Sequence, residues 1–417
     1  MRRLTLLGEL IGTAFISLGR NKSRSFLTAL GIIIGVATVI SMVGVIEGIR
    51  VNVENQMELL GSNLIFVSKF EPGIRFGRLP RKLRLRKNLT LEDLKAIEAL
   101  PSIEAAVGQI KMFEGSQVRS RYSTTAGIVV MGTTYDYLKV VKLNLLAGRF
   151  FTQGEEKSKA NVAVLGSEVV ENLFPGVDPI GKKFHMGNAT YRVVGVMESV
   201  GQGLFGQSQD EYVIIPITTL YKYYPKARRR WWGGLYIMAR PKSPRLLQQA
   251  MDDIIEVMRM RRRLRPRDEN DFAVYTTEYV NQLFNQLVGG VFLVGVLIAS
   301  ISLLVGGIGI MNIMLVSMRE RTSEIGLRRA LGAKRKHILF QFIVEAVVLS
   351  LSGGLVGMVL GFSFAFLAKA VAHFPAQVTS FGVGLGVGVS TLVGLFFGIY
   401  PAWKASQLNP VEALRYE

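Results

Sequence analysis

Four long apolar runs, three of them without a charge, interrupt an otherwise polar chain. The first, Phe26 to Ile46, reads FLTALGIIIGVATVISMVGVI. The others run from about Leu287 to Met318, about Phe340 to Ala370 (with Glu345 near its start) and about Val378 to Trp403. At 1.5 Å per residue, about 21 residues cross ~30 Å of hydrocarbon, so each run predicts a membrane span. The second exceeds the hydrocarbon core by roughly half, which predicts a helix that projects beyond the bilayer. Span one continues as EGIRVNVENQMELLG, a helical pattern expected to end near Gly61. Two projecting helices would form a stalk under whatever lies between them. Gly31 and Gly35 stand four apart in span one. That spacing permits close helix–helix packing, with a dimer seam as one use, although Gly is also common in membrane helices.

Residues 62–285 are polar and read as one soluble α+β domain. NLIFVSK is a strand signal, LTLEDLKAIEAL a helix with Thr90 at its N-cap, and IEAAVGQIKMF a strand. The same order recurs as GLYIMAR, RLLQQAMDDIIEVMRMRRR and DFAVYTT. Two strand–helix–strand units predict a compact, ferredoxin-like or porter-type half. Between them, over about 112–220, the strand signals GIVVMGTT, NVAVLG, YRVVGVME and EYVIIPI dominate. They predict a β-rich subdomain inserted into the first. The fold class is therefore an α-helical membrane protein with four transmembrane helices and a large extracytoplasmic α+β domain. Its segments are 1–25, 26–61 (span one and stalk), 62–285, 286–318 (stalk and span two), 319–338, 339–370, 371–377, 378–403 and a tail, 404–417.

Residues 1–25 carry an apolar stripe, Leu4, Leu7, Ile11, Phe15 and Leu18, flanked by Arg and Lys. This predicts a helix lying in the membrane interface. A secretory signal is the rival, but the following run is too long for a signal h-region and no clear cleavage site follows, so span one is read as uncleaved. The short loops set the orientation. The N-terminal flank, 319–337 and the tail are positive, which places all three in the cytoplasm and the large domain outside. Most Lys and Arg lie in that large domain, where long translocated segments escape the rule. The net charge of +19 thus points to topology and anionic lipid and not to nucleic acid. Zero Cys excludes disulfides and thiolate chemistry, and three scattered His (185, 337 and 373) lack metal-ligand spacing. No catalytic or metal site is expected.

The stretch Met318 to Ile338, MRERTSEIGLRRALGAKRKHI, lies between spans two and three. Ser323 can cap a helix whose first turn holds Glu324 and whose last holds Arg328 and Arg329, and Gly332 suits the left-handed position beyond it. Ile325, Ala330 and Leu331 offer an apolar contact. A topology loop alone needs positive charge; it does not need Glu320, Glu324 or two placed glycines. Elsewhere, RKLRLRK at 81–87 and the Arg-rich run at 259–267 read first as solvated faces, with lipid or a partner as the alternative. Trp231 and Trp232 beside Arg228 to Arg230 are a binding edge or packed core. Glu345 is costly at depth and is expected near the cytoplasmic interface or paired with a loop Arg.

Several segments together resemble the FtsX-like, MacB-type permeases of ABC transporters over essentially the whole chain. They are RNKSRSFLTALGIIIGVATVISMVGV, LLAGRFF, VAVLGSEVVENLFPGVDPIGKKFHMGNATYRVVGVME, SMRERTSEIGLRRALGAKRKHI and GIYPAWKASQLNPVEALRYE. The resemblance implies an inner-membrane homodimer with both termini cytoplasmic. It makes 319–333 a coupling helix against an ABC ATPase, contacting it through Arg319, Glu320, Arg321, Glu324, Ile325, Gly326, Leu327, Arg328, Arg329, Leu331 and Gly332. It implies ATP and magnesium on that ATPase, with no cofactor on this chain. It further implies mechanotransmission, in which ATP-driven motion reaches the outer domain and substrate is extruded there, often with a periplasmic adaptor and an outer-membrane channel. The chain has no GxxxxGK[ST] to cradle phosphates, so the ATPase is expected on a separate chain. Lol-type lipoprotein release shares this layout. FtsX-like signalling is the other alternative, although its ectodomain is much smaller than the ~220 residues here. A membrane-anchored enzyme lacks any convergent acid, base or nucleophile set.

Overall fold

A computed structural model describes residues 22–61, 63–73, 80–201, 208–229, 234–372, 376–377 and 379–414. The interfacial helix expected over 1–25 lies almost wholly outside them, as do Arg230, Trp231, Trp232 and His373. The chain divides into two compact units. One is Val51–Gln286; the other holds the residues up to Arg50 and from Leu287 onward.

In the first unit ten strands form one sheet. They are β1 Ile65–Ser68, β2 Ile103–Arg119, β3 Thr124–Thr133, β4 Leu145–Gly148, β5 Val162–Leu165, β6 Lys183–Met186, β7 Ala189–Met197, β8 Tyr212–Pro216, β9 Tyr236–Pro241 and β10 Ala273–Thr276. The order β10-β1-β9-β2 is antiparallel throughout. Helix α2 (Leu91–Glu98) connects β1 to β2, and α3 (Leu247–Arg262) connects β9 to β10. This is the ferredoxin-like arrangement that the repeated strand–helix–strand pattern predicts. In α2, Thr90 caps as expected. Its hydroxyl accepts from the Asp93 N–H while the Asp93 carboxylate accepts from the Thr90 N–H, a full capping box. α3 buries Ala250, Ile254 and Met258, one side of the helix at four-residue spacing. Each of the two larger side chains contributes roughly 1.5–3 kcal/mol by leaving water.

Between β2 and β9 the chain makes the β-rich insertion. β3 pairs with β8, β8 with β5, β5 with β7 and β7 with β6. β6 returns to β2 through Val118 opposite Met186 and Arg119 opposite His185. The pairings β2–β3–β8–β5–β7–β6–β2 therefore close into a ring of six strands. Closure satisfies backbone groups that an open sheet leaves at its edges. Phe184 and Tyr191, both fully buried, stack at 5.7 Å on its inner side. Neither β4 nor β6 stands among the expected strands: β4 is mostly exposed, and β6 has only four residues.

The second unit holds helices long and apolar enough to cross a bilayer. They are α1 (Lys22–Leu60), α4 (Thr277–Glu320), α6 (Arg335–Ala372) and α7 (Ser380–Ser406); α1 and α4 continue in sequence into the other unit. Between α4 and α6 lies α5 (Thr322–Ala330), and α8 (Pro410–Leu414) follows α7. Glycine governs the packing of the spans. A Cβ on Gly31 would lie 2.7 Å from the Gly306 Cα, and one on Gly35 would lie 2.6 Å from the Leu303 Cγ. Both glycines are filled from within the chain, at a crossing of α1 with α4. On α6, a Cβ at Gly357 would lie 2.8 Å from the Ile33 carbonyl of α1. On α7, Gly382, Gly386, Ser390, Gly394 and Gly398 form a buried row at four-residue spacing, and Gly394 and Gly398 meet Ala346 of α6. Apolar attraction between helices is weak in lipid. Small residues replace it by letting backbones approach and gain van der Waals contact.

Candidate functional site at the helix between spans two and three

Helix α5 follows α4 after one residue. Arg321 occupies the junction at φ −105°, ψ 16°, with no side-chain cap bond. The expected cap, Ser323, is instead inside the helix. No extended residue separates α4 from α5, so no backbone geometry exists in which Ser323 could cap. The Thr322 hydroxyl donates back to the carbonyls of Met318 (3.1 Å) and Arg319 (2.8 Å), satisfying acceptors freed at the break. At the other end, Gly332 takes φ +96°. Its N–H donates to the Arg329 carbonyl at 3.1 Å, and the Ala333 N–H to the Arg328 carbonyl at 3.0 Å. That is the six-to-one and five-to-two pattern of a Schellman stop.

One face of α5 is fastened to α6. Ile325 is 4% exposed and belongs to a core that includes Ile338, Phe342 and Ala405. Polar ties lie on either side of it. The Arg321 guanidinium meets the Glu345 carboxylate at 3.4 Å, in a setting where the carboxylate side chain is 7% exposed. Arg328 donates to the Gln341 side-chain amide oxygen, Oε1, at 2.8 Å and to the Glu324 carboxylate at 2.6 Å. Arg321 stands at the head of α5 and Arg328 near its end, while 341 and 345 are one turn apart on α6. Two ties and an apolar knob between them prevent α5 from rolling. Gly326 is buried beside Ile325, and α8 packs against α5 with Ala413 buried.

The rest of the helix surface is open. Arg319, Glu320, Ser323, Glu324, Leu327 and Leu331 are exposed in this chain, Leu327 by 52% and Leu331 by 80%. Arg329 is half-buried, and its Nε lacks a hydrogen-bond partner among the described residues. The sequence candidates thus divide. Arg321, Ile325 and Gly326 hold the helix, whereas Glu320, Leu327 and Leu331 present a mixed charged and apolar surface. Gln341 escaped the reading of the sequence, though its four-residue spacing to Glu345 is the signal that finds it. Among the described residues no group of three or more His, Asp or Glu could hold a metal ion.

Comparison with known proteins matches two family profiles to successive parts of the chain. The profile of the MacB-like periplasmic core domain matches residues 25–257, and that of the FtsX-like permease C-terminal domain matches residues 284–410. The macrolide export ATP-binding/permease protein MacB of Bdellovibrio bacteriovorus is 36% identical over 98% of this chain and 62% of its own length. The MacB protein of Chlorobaculum tepidum is 37% identical over 99% of this chain and 62% of its length. The chain thus spans about three-fifths of the length of these relatives. The crystal structure of the periplasmic region of MacB from Actinobacillus actinomycetemcomitans covers 56% of this chain and 97% of its own, at 17% identity and a TM-score of 0.43. With a core-domain match over more than half its residues and an FtsX-like match over its last three membrane-span helices, the chain belongs to the MacB-type, FtsX-like family of ABC-transporter permeases.

Proposed function

We propose that this chain is the membrane subunit of an ATP-driven export machine, and that α5 is where an ABC ATPase grips it. One observation carries this reading: a short helix, locked to α6 on one face, exposes Leu327 and Leu331 on the other. A helix that cannot roll passes an applied displacement to the span beneath it instead of absorbing it. Exposed leucines amid charge fit a protein partner, because their burial supplies affinity while Arg319, Glu320 and Glu324 set orientation. α5 then lies on the cytoplasmic side with both termini, and ATP and magnesium are held by the ATPase, outside these residues. Two of the spans, α1 and α4, continue in sequence into the other unit, which gives the motion a covalent route. Mechanotransmission in a homodimer, with extrusion of substrate at the outer domain alongside an adaptor and outer channel, completes the reading. The relatives' printed name points to macrolides as a substrate class to try first.

The test is co-expression with a nucleotide-binding subunit, purification of the complex in nanodiscs, and comparison of wild type with Leu331→Asp and Glu324→Lys. Burying a charge in place of a leucine at an interface costs ~2 kcal/mol or more, so Leu331→Asp is expected to weaken assembly by at least about thirtyfold. Assembly and ATP turnover unchanged in both variants would remove α5 from the coupling route.

A further inference from the structure

The two basic runs, 81–87 and 259–267, are about 170 residues apart in sequence, yet the long-range pairing of β1 with β10 brings them to one end of the sheet. In that pairing Ile65 lies opposite Thr276 and Ser68 opposite Ala273. α1 and α4 join the strands at the Ile65/Thr276 end, whereas both basic runs lie beyond the Ser68/Ala273 end. Several bonds fix them together. Lys82 pairs with Glu269 at 2.7 Å, and Arg262 donates to the carbonyls of Lys87 (3.2 Å) and Asn88 (3.4 Å). Arg259 donates to the carbonyls of Arg265 and Asp268 and to the Asn270 side chain, bracing the loop that follows α3.

The runs hold five and six cationic residues and no acid. Three of the neighbouring acids are engaged, Glu269 with Lys82, Asp271 with Arg262 and Asp93 with Arg261, and Asp268 accepts the Arg265 N–H. Arg84, Lys87, Arg263, Arg265 and Arg267 are exposed and make no ion pair among the described residues. Leu85 and Met260 stand out among them, 71% and 63% exposed. Beside them opens a groove of about 430 Å³ whose lining mixes Ile255, Phe272 and Val274 with Arg86 and Arg259 and with the carboxylates of Glu71 and Glu269, the latter already paired with Lys82. It borders β10, the outermost strand on that side of the sheet.

We propose that this end of the outer unit is a docking surface for an acidic segment of a partner protein. The exposed arginines attract and orient the segment, and one of its apolar side chains fills the groove. A protein segment fits better than a lipid surface, because a flat headgroup layer cannot enter a groove whereas one side chain of a segment can reach its Ile255, Phe272 and Val274. An edge strand beside the groove also suits an extended chain.

The experiment uses the full chain in nanodiscs of neutral lipid. The probe is a fluorescent glutamate-rich peptide with one central Phe, measured against rising salt. Arg84→Glu with Arg265→Glu is compared with Lys157→Glu with Lys183→Glu, which removes the same charge from exposed sites on the same unit. The expected result is salt-sensitive binding that falls at least about tenfold in the first double variant and less than about twofold in the second. Replacing the peptide's Phe by Ser is expected to weaken binding further. Equal losses in both double variants would reduce the effect to net charge and overturn the proposal. So would indifference to the Phe, or a patch that in this assay prefers phosphatidylglycerol vesicles to the peptide. Thermal unfolding of each variant separates a lost surface from a lost fold.

Discussion

Glu156 shows how a single buried carboxylate makes this outer unit's stability fall as pH rises toward neutrality. Its side chain accepts the Tyr135 N–H at 2.8 Å and lies near Asp136 and Glu98. Burial pushes its pKa up to about 6, with the neighbouring carboxylates adding to the rise. A raised carboxylate stabilises the fold while protonated. That contribution is complete below the unfolded value near 4.5 and is lost as pH rises through about 6. Its neighbour Glu155 behaves oppositely. Two bonds of 2.7 Å from Arg149 hold it down to about 2, so its contribution is present above 4.5 and lost as pH falls toward 2. Between pH 4.5 and 6.5 only Glu156 of the two titrates. Glu156→Gln, which keeps the acceptor, is therefore expected to abolish ~2 kcal/mol of stability loss over that interval, as read by urea unfolding of the outer unit's fluorescence at each pH. None of this is legible in the sequence GEEK. Two adjacent glutamates are chemically alike, and only their burial and partners push their pKa values apart.

Helix α5 was legible in part. Charge, a left-handed Gly332 and arginines in the last turn follow from local rules that act within a few residues. Which face is spent and which is free does not, because it depends on where α6 lies. Ile325 read as an outward contact is in fact the inward anchor, and Ser323 read as a cap is displaced by the immediate succession of α4 and α5. The expected pairing of Glu345 with a loop arginine is the bond to Arg321. Removing one partner of such a pair leaves a charge without its counterion, at a cost of ~3–5 kcal/mol, whereas replacing both by apolar residues can be neutral. Glu345→Leu is thus expected to destabilise the protein in detergent, and Arg321→Leu with Glu345→Leu to recover most of the loss. A double variant as unstable as the sum of the singles would mean the bond contributes nothing through pairing.

For the molecule as a whole, the spans and the outer unit impose a sidedness that can be measured directly. The chain has no cysteine, so a single one reports alone. With a membrane-impermeant maleimide applied to intact spheroplasts, Lys183→Cys is expected to react and Ser323→Cys to react only after lysis. Both sites are exposed on their own units, so the reverse pattern would invert the orientation and remove α5 from the reach of a cytoplasmic ATPase.

The spans, the repeated strand–helix–strand pattern and the basic sidedness signals could be read from the residues alone. Each rests on transfer of side chains from water, on backbone periodicity or on local charge, and such terms need no knowledge of distant contacts. Tertiary structure alone decided three things. It closed the six-stranded ring through Val118 and Arg119 against His185 and Met186. It matched Gly31 to Gly306 and Gly394 and Gly398 of α7 to Ala346. It joined the two basic runs into one surface. All three pair residues far apart in sequence. Which partner wins there depends on the packing energy of the whole core against loop-closure entropy, and no window of the chain carries that sum.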